Sequence, residues 1–217
     1  MSGSRPVRWA AMVAGSVAAS ACAPVFSDLQ SARTLPPGKV ELTPQATSTS
    51  FRDDDESEHV QDHLGAQVAV GVAERVELRG RYERILVDDS GGGQDGVHAN
   101  VVGFGPKVAL VRDRVSLYVP VGLAFGNDIE SRETLTLQPT VLASFPAGNY
   151  VEINTSAKAN LPLDDEGDMF RGFGVNLGLG LGPRGGAWSI RPEAGVLFAK
   201  DDVKYLHASI GVSLRPR

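Results

Sequence analysis

The run Val76 to Ile85, VELRGRYERI, puts Val76, Leu78, Gly80 and Tyr82 on one phase and Glu77, Arg79, Arg81 and Glu83 on the other. A period of two belongs to an extended strand, whose successive side chains point to opposite faces. The same period runs almost without interruption from Lys39 onward, and no window carries a helical stripe. It divides into segments 39–51, 63–73, 75–87, 97–111, 115–126, 134–145, 150–161, 172–182, 187–199 and 204–214. Most exceed the usual strand of about five or six residues. They match the roughly 9 to 11 residues that a tilted strand needs to cross a bilayer.

The connections alternate in length. Ala73-Glu74, Arg112-Asp113-Arg114, Pro146–Asn149 and Pro183–Gly186 are short. Arg52–Asp62, Asp88–Gly96, Asn127–Glu133, Pro162–Arg171 and Lys200–Val203 form the longer set, the last being its shortest member. Transmembrane barrels have short periplasmic turns and longer outside loops, and an even strand number returns both ends to the short-turn side.

One phase is aliphatic: Leu64, Val68, Val70 and Val72, then Val115, Leu117, Val119, Val121 and Leu123, then Val175, Leu177, Leu179 and Leu181, then Leu206, Ile210, Val212 and Leu214. The other is small or polar, as in Gly174, Asn176, Gly178, Gly180 and Gly182, or Glu152, Asn154, Ser156, Lys158 and Asn160. A soluble lipocalin-like carrier would keep its apolar phase inside and bulky polar side chains outside. Here the polar phase is crowded with Gly, Ser and Ala, which suits a narrow lumen, and the aliphatic phase suits lipid. Phe125, Phe145, Phe173, Trp188 and Phe198 fall on the aliphatic phase near segment ends, where interface girdles form.

On these phases the lumen receives Arg79, Arg81, Lys107, Lys158 and Arg191 together with Glu41, Glu77, Glu83, Glu152 and Glu193. Cations and anions balance. Unpaired buried charges cost several kcal/mol each, so the balance predicts a salt-bridge network in a mostly closed lumen. An ion-selective pore would show an excess of one sign.

The pattern resembles a small bacterial outer-membrane β-barrel over about residues 39–217. The resemblance implies an all-β fold: a closed antiparallel up-and-down barrel of about ten strands, within a range of eight to twelve. It also implies outer-membrane lipids as the surroundings and the barrel-assembly machinery as a partner. Two departures stand out. The chain ends Ser213-Leu214-Arg215-Pro216-Arg217, where many such barrels carry a terminal aromatic residue. Prolines 44, 106, 120, 139 and 192 fall inside segments, where each forfeits a ladder hydrogen bond. Bulges at those sites are the expected accommodation.

The first residues read differently. Arg5 and Arg8 precede an apolar stretch from Trp9 to Ala19, and Ala19-Ser20-Ala21 has small residues suited to cleavage. This is an export signal over residues 1–21. The single cysteine, Cys22, follows at once, and Ala19–Cys22 resembles a bacterial lipobox, with Ala19 where Leu is usual. The resemblance implies lipidation of Cys22 and lipoprotein-sorting partners, with the N-terminus periplasmic; ordinary cleavage leaving a free thiol is the alternative. Residues 22–38 have no period, end in Pro36-Pro37-Gly38, and are expected to form a periplasmic tether.

Composition adds limits. After the signal, no run approaches the roughly 18 apolar residues of a spanning helix. The net charge of −5 argues against a nucleic-acid partner. Acidic clusters at Asp53–Glu56 with Glu58, Asp88-Asp89, Asp164–Glu166 with Asp168, and Asp201-Asp202 fall in the longer connections, but the calcium-loop spacing is absent and no metal site is expected. The histidines are His59, His63, His98 and His207. His207 near Asp201-Asp202 is the one place for a rim hydrolase, and a lumen hydrogen bond is its expected role. Gly91-Gly92-Gly93 and the glycines of 172–182 do not open a helix after a strand, so no nucleotide cofactor is expected. The expectation is a non-enzymatic outer-membrane barrel with a structural or interaction role. A narrow pore for small solutes, a rim hydrolase and a soluble carrier are the alternatives.

Overall fold

The computed structural model describes residues 27–52, 57–87, 98–126, 131–163, 171–198 and 204–216. Its strands are β1 Val40–Arg52, β2 Ser57–Ala73, β3 Val76–Val87, β4 His98–Val111, β5 Val115–Tyr118, β6 Val121–Gly126, β7 Thr136–Leu137, β8 Thr140–Pro146, β9 Val151–Pro162, β10 Gly172–Leu181, β11 Trp188–Phe198 and β12 Lys204–Leu214. A single 3-10 turn, Ser131–Thr134, interrupts the β-structure of the described residues.

Every strand pairs antiparallel with its neighbours, and β12 returns to β1 in a register running from Leu42↔Leu214 to Arg52↔Lys204. That last ladder removes both sheet edges. β5 and β6 both lie against β4, and β7 and β8 both lie against β9, so each pair is one interrupted stave. The result is a closed ten-strand barrel. The short turns and both ends of the strand array, Val40 and Leu214, share one rim.

Prolines behave differently from expectation. Pro120 and Pro139 lie in the two interruptions, while Pro44, Pro106 and Pro192 remain in unbroken strands opposite Ala66, Leu78 and Ile210. The register shifts fall elsewhere, at Thr49/Ser50, Gly71/Ala73 and Ala109/Val111. A proline removes one bond from one ladder, and neighbouring pairs hold the alignment: Val119 still donates to the Pro106 carbonyl at 3.0 Å, and Gln138 to that of Pro120 at 2.9 Å. The first long connection is also shorter than the sequence suggested. β2 starts at Ser57, paired with Arg52, because the Ser/Thr run of β1 provides a β-prone partner for it.

The aliphatic phase faces outward. Leu177 is 60% exposed and Ile210 53%, and Leu64, Val68, Val72, Phe104 and Val141 are also exposed. Phe125, Phe173 and Phe198 stand near the long-loop end, with Phe145, Tyr150 and Trp188 near the short-turn end. A lipocalin-like core of Leu177, Val119 and Ile210 is therefore excluded.

The lumen is filled by a segment expected outside it. Of residues 22–38, the part from Ser27 onward is described, and Ser27–Ala32 and Leu35 are buried within the barrel. The chain leaves the lumen at the short-turn rim through Gly38, whose positive φ of 74° suits a residue without Cβ, and enters β1. Gly38 N–H donates to Gly71 O at 2.8 Å, and Gly71 N–H to Lys39 O at 2.9 Å. A Cβ on Gly71 would collide with the backbone of Leu35 and Pro36. A Cβ on Gly211 would come within 3.2 Å of Leu29 Cδ1. The wall glycines thus make room for a plug as well as for long charged side chains: a Cβ on Gly174 would meet Lys158 Cγ, also at 3.2 Å.

Candidate functional site in the plugged lumen

The inward phase of β1, β3, β4 and β11 builds one charged cluster near the short-turn rim. Arg79 Nη2 lies 3.0 Å from Glu41 Oε1 and 2.9 Å from Glu77 Oε1, and Lys107 Nζ is 2.7 Å from the same Glu77 oxygen. Arg215, beyond the end of β12, reaches Glu41 Oε2 at 2.8 Å. Arg191 approaches that oxygen only to 3.9 Å and instead donates from Nε to Ser213 Oγ at 2.7 Å. Leu35 N–H from the plug donates to Glu77 Oε2 at 2.9 Å.

A second cluster lies deeper and is organised by the plug. Glu193 accepts the backbone N–H groups of Asp28 and Leu29 at 2.7 and 2.9 Å, one on each carboxylate oxygen. Lys158 Nζ is 3.0 Å from Asp28 Oδ1, while Ser156 and Asn176 donate to Oδ2, the latter at 2.7 Å. Burial pushes the Asp28 carboxyl up, but Lys158 and Arg81, with the Ser156 hydrogen bond, prevail and hold it below its ordinary value of 3.8. Arg81 pairs with Glu83 at 3.3 Å and donates to Ser27 O at 2.6 Å. Glu83 is also approached by His63 Nδ1 at 2.9 Å and accepts from Gln45. Higher on the plug, Arg33 pairs with Glu152 at 3.1 Å, Ala32 N–H donates to Ser144 Oγ at 2.7 Å, and Lys107 donates to Ser31 O at 3.1 Å.

All ten wall charges singled out from the sequence thus sit in the interior, but the wall is not self-contained. Lys158 and Glu152 pair with plug residues, and Glu193 is satisfied by plug backbone. Sequence reasoning missed Asp28, Arg33 and Arg215. The usable signal was an acid and a base in an aperiodic segment preceding a wall too rich in glycine to fill its own interior.

His207 is buried, with Nε2 3.0 Å from Asn176 Oδ1 and Nδ1 3.0 Å from Ser209 Oγ, which also accepts from Thr47. Through Asn176 it belongs to the packing around Asp28. Asp201-Asp202 lie outside the described residues, as do Cys22, the signal segment and the acidic clusters at 53–56, 88–89 and 164–168. Glu58 is exposed, and His59 lies 3.5 Å from Asp62 near the same hairpin end. No group of three or more metal-ligating side chains occurs among the described residues.

No protein-family model and no curated protein matches the sequence. Among solved structures, the chain is similar to Ail, the attachment invasion locus protein of Yersinia pestis, at 12% identity over 83% of this chain and 99% of that one, with a TM-score of 0.40. It is similar to the translocator domain of autotransporter NalP from Neisseria meningitidis at 11% identity over 96% of each chain, TM-score 0.46. An outer membrane channel from Pseudomonas putida F1 matches at 9% identity over 88% of this chain and all (100%) of that one, TM-score 0.47.

Proposed function

We propose that the chain is a bacterial outer-membrane β-barrel closed by its own N-terminal segment, acting through structure or interaction and without catalysis. The observation that carries this is the course of residues 27–35 through the lumen, bonded to the wall through Glu193, Lys158, Ser144 and Glu77. The outward belt of aliphatic side chains supports the membrane setting. Contiguous apolar patches on soluble monomers rarely exceed a few hundred Å², whereas a bilayer solvates such a belt. In that setting the rim with the short turns and both strand ends faces the periplasm. Residues 1–21 direct export, Cys22 carries the lipid, and lipoprotein-sorting and barrel-assembly machinery handle the product.

The test is conductance of the full chain in planar bilayers. The wild type gives no steps, and a variant lacking residues 27–35 gives open-channel steps. Steady steps from the wild type would make the protein a narrow pore instead. Hydrolysis of an outer-membrane lipid or peptide that disappears in His207→Ala would reassign it as an enzyme. Fatty-acid labelling that is lost in Cys22→Ser checks the anchor.

A further inference from the structure

The first described residue, Ser27, stands midway up the lumen. Arg81 donates to its carbonyl oxygen at 2.6 Å, and Gln45 Nε2 lies 3.5 Å from its hydroxyl; both partners sit near the middle of their strands, β3 and β1. From there the segment runs toward the short-turn rim, past Ser144 and Glu152 to Thr34, whose hydroxyl donates to Glu74 O at 3.4 Å. Phe26 is bonded to Ser27, and successive Cα atoms are about 3.8 Å apart, so this side chain needs a seat inside the barrel. The short-turn half offers none. Its Glu41, Glu77, Arg79 and Lys107 are paired with one another, and its apolar cluster of Tyr118 and Leu142 is taken by Ala32 of the plug. The long-loop half is different. Ile85, Ala99, Val101 and Ala124 form a buried apolar cluster. They share the inward phase of β3, β4 and β6, where Ile85 pairs with Ala99, Glu83 with Val101, and Val101 with Ala124. Leu197, buried on the inward phase of β11, lies half-way round the barrel from β4 and faces the cluster across the lumen. Val101 borders a void of about 10 Å³ together with Asp28 and Arg81, so the cluster begins where the described segment starts.

We propose that this cluster is the seat of Phe26, so that residues 23–26 continue the plug into the long-loop half of the lumen. The chemistry matches. Ala23-Pro24-Val25-Phe26 carries no charge, and a Phe ring between Val101 and Leu197 leaves water without meeting an ion pair. Against Arg79 and Lys107 the same ring would strip water from charges and return no hydrogen bond. The length matches too. From the level of Glu83 to the end of β3 at Val87 is about 13 Å of strand, and the stretch from Cys22 to Ser27 spans about 17 Å when extended. The seat adds an apolar attachment above the ion pairs and hydrogen bonds that hold residues 28–35. It rests on the plug reading of that segment, and conductance tests that reading separately: a silent wild type without the contact described below would keep the plug and lose the seat.

The experiment pairs cysteines in the full chain folded in detergent, with Cys22→Ser removing the only native thiol. Phe26→Cys is combined with Val101→Cys on the long-loop side, or with Ser144→Cys beside Ala32 on the short-turn side, and mild oxidation is followed by gel mobility. A disulfide needs Cα atoms within about 7 Å. The 26–101 pair is expected to bridge and the 26–144 pair to stay reduced. Bridging of 26–144, or no bridge at 26–101, overturns the proposal. A second measurement needs no substitution in the barrel wall. Phe26→Asp places a carboxylate against the apolar cluster and should raise the rate of tryptic cleavage after Arg33 roughly tenfold or more, because cleavage follows the population of the released segment. Phe26→Leu should leave that rate close to the wild type. Should the cysteine pairs fail to fold, this comparison decides alone, since residue 26 lies outside every strand. An Asp variant as resistant as the wild type overturns the proposal.

Discussion

The carboxylate of Asp28 lies 3.0 Å from the ammonium of Lys158, joining the N-terminal segment to the wall of β9 in the barrel interior. Both groups are buried, so each is the other's main compensation. Removing one partner of a buried pair leaves an uncompensated charge, a loss of about 3–5 kcal/mol. Asp28→Ala is expected to lower the denaturant midpoint of the micelle-folded protein accordingly. The double variant Asp28→Ala with Lys158→Met should recover part of the loss, because the stranded cation is then gone. Additive losses would show that the pair does not hold the plug.

The depressed Asp28 carboxyl also sets a pH dependence. A group whose folded value lies below its unfolded value binds fewer protons when folded, so its contribution is complete above the unfolded value. It then disappears as pH falls from about 3.8 through the folded value. The wild type should therefore lose stability relative to Asp28→Asn as the pH falls below about 3.8. Parallel unfolding curves down to pH 2 would contradict this.

Gly71 is where plug and wall backbones meet. A Cβ there would sit 2.7 Å from the Pro36 carbonyl carbon, and the neighbouring carbonyl oxygens would be closer still. Overpacking of this kind costs about 1–3 kcal/mol, a strain that expelling the plug would relieve. Gly71→Val is expected to make the bond after Arg33 cleavable by trypsin in the folded protein, while the wild-type bond resists. Equal resistance in both would show that the rim yields without releasing the segment.

Leu177 tests the membrane setting from the other face. It points outward in the middle of β10, opposite Thr155 and Ala194 on the flanking strands. A cation on the lipid face of a barrel costs about 2–4 kcal/mol at the bilayer midplane. Leu177→Arg should lower folding stability in phospholipid vesicles by that amount. No loss, together with improved solubility without detergent, would mean that water is the native surrounding of this face.

Much of this architecture was legible beforehand. Segments such as 115–126 and 204–214 coincide with whole staves, and the inward placement of Arg79, Glu83 and Lys158 follows from their phase. Pro120 and Pro139 were visible as irregularities but not as interruptions, because whether a missing donor splits a strand depends on the bonds its neighbours keep. The extension of β2 to Ser57 was hidden for a similar reason: apart from Val60, residues 57–62 are polar, and only pairing with β1 makes them strand.

What the sequence determined by itself is the sidedness of every strand, because alternation is a local property that survives whatever the strands pair with. What only the tertiary structure decided is the content of the interior. Residues 27–35 carry no period to announce a surface, and Asp28 has no sequence neighbour that explains its burial. Its partners, Lys158, Ser156, Asn176 and Glu193, come from the adjacent strands β9, β10 and β11, and only the closure of β12 on β1 encloses the lumen in which these strands meet Asp28. Closure sets the width of the lumen, and that width, together with the glycines lining it, leaves space for the segment that fills it.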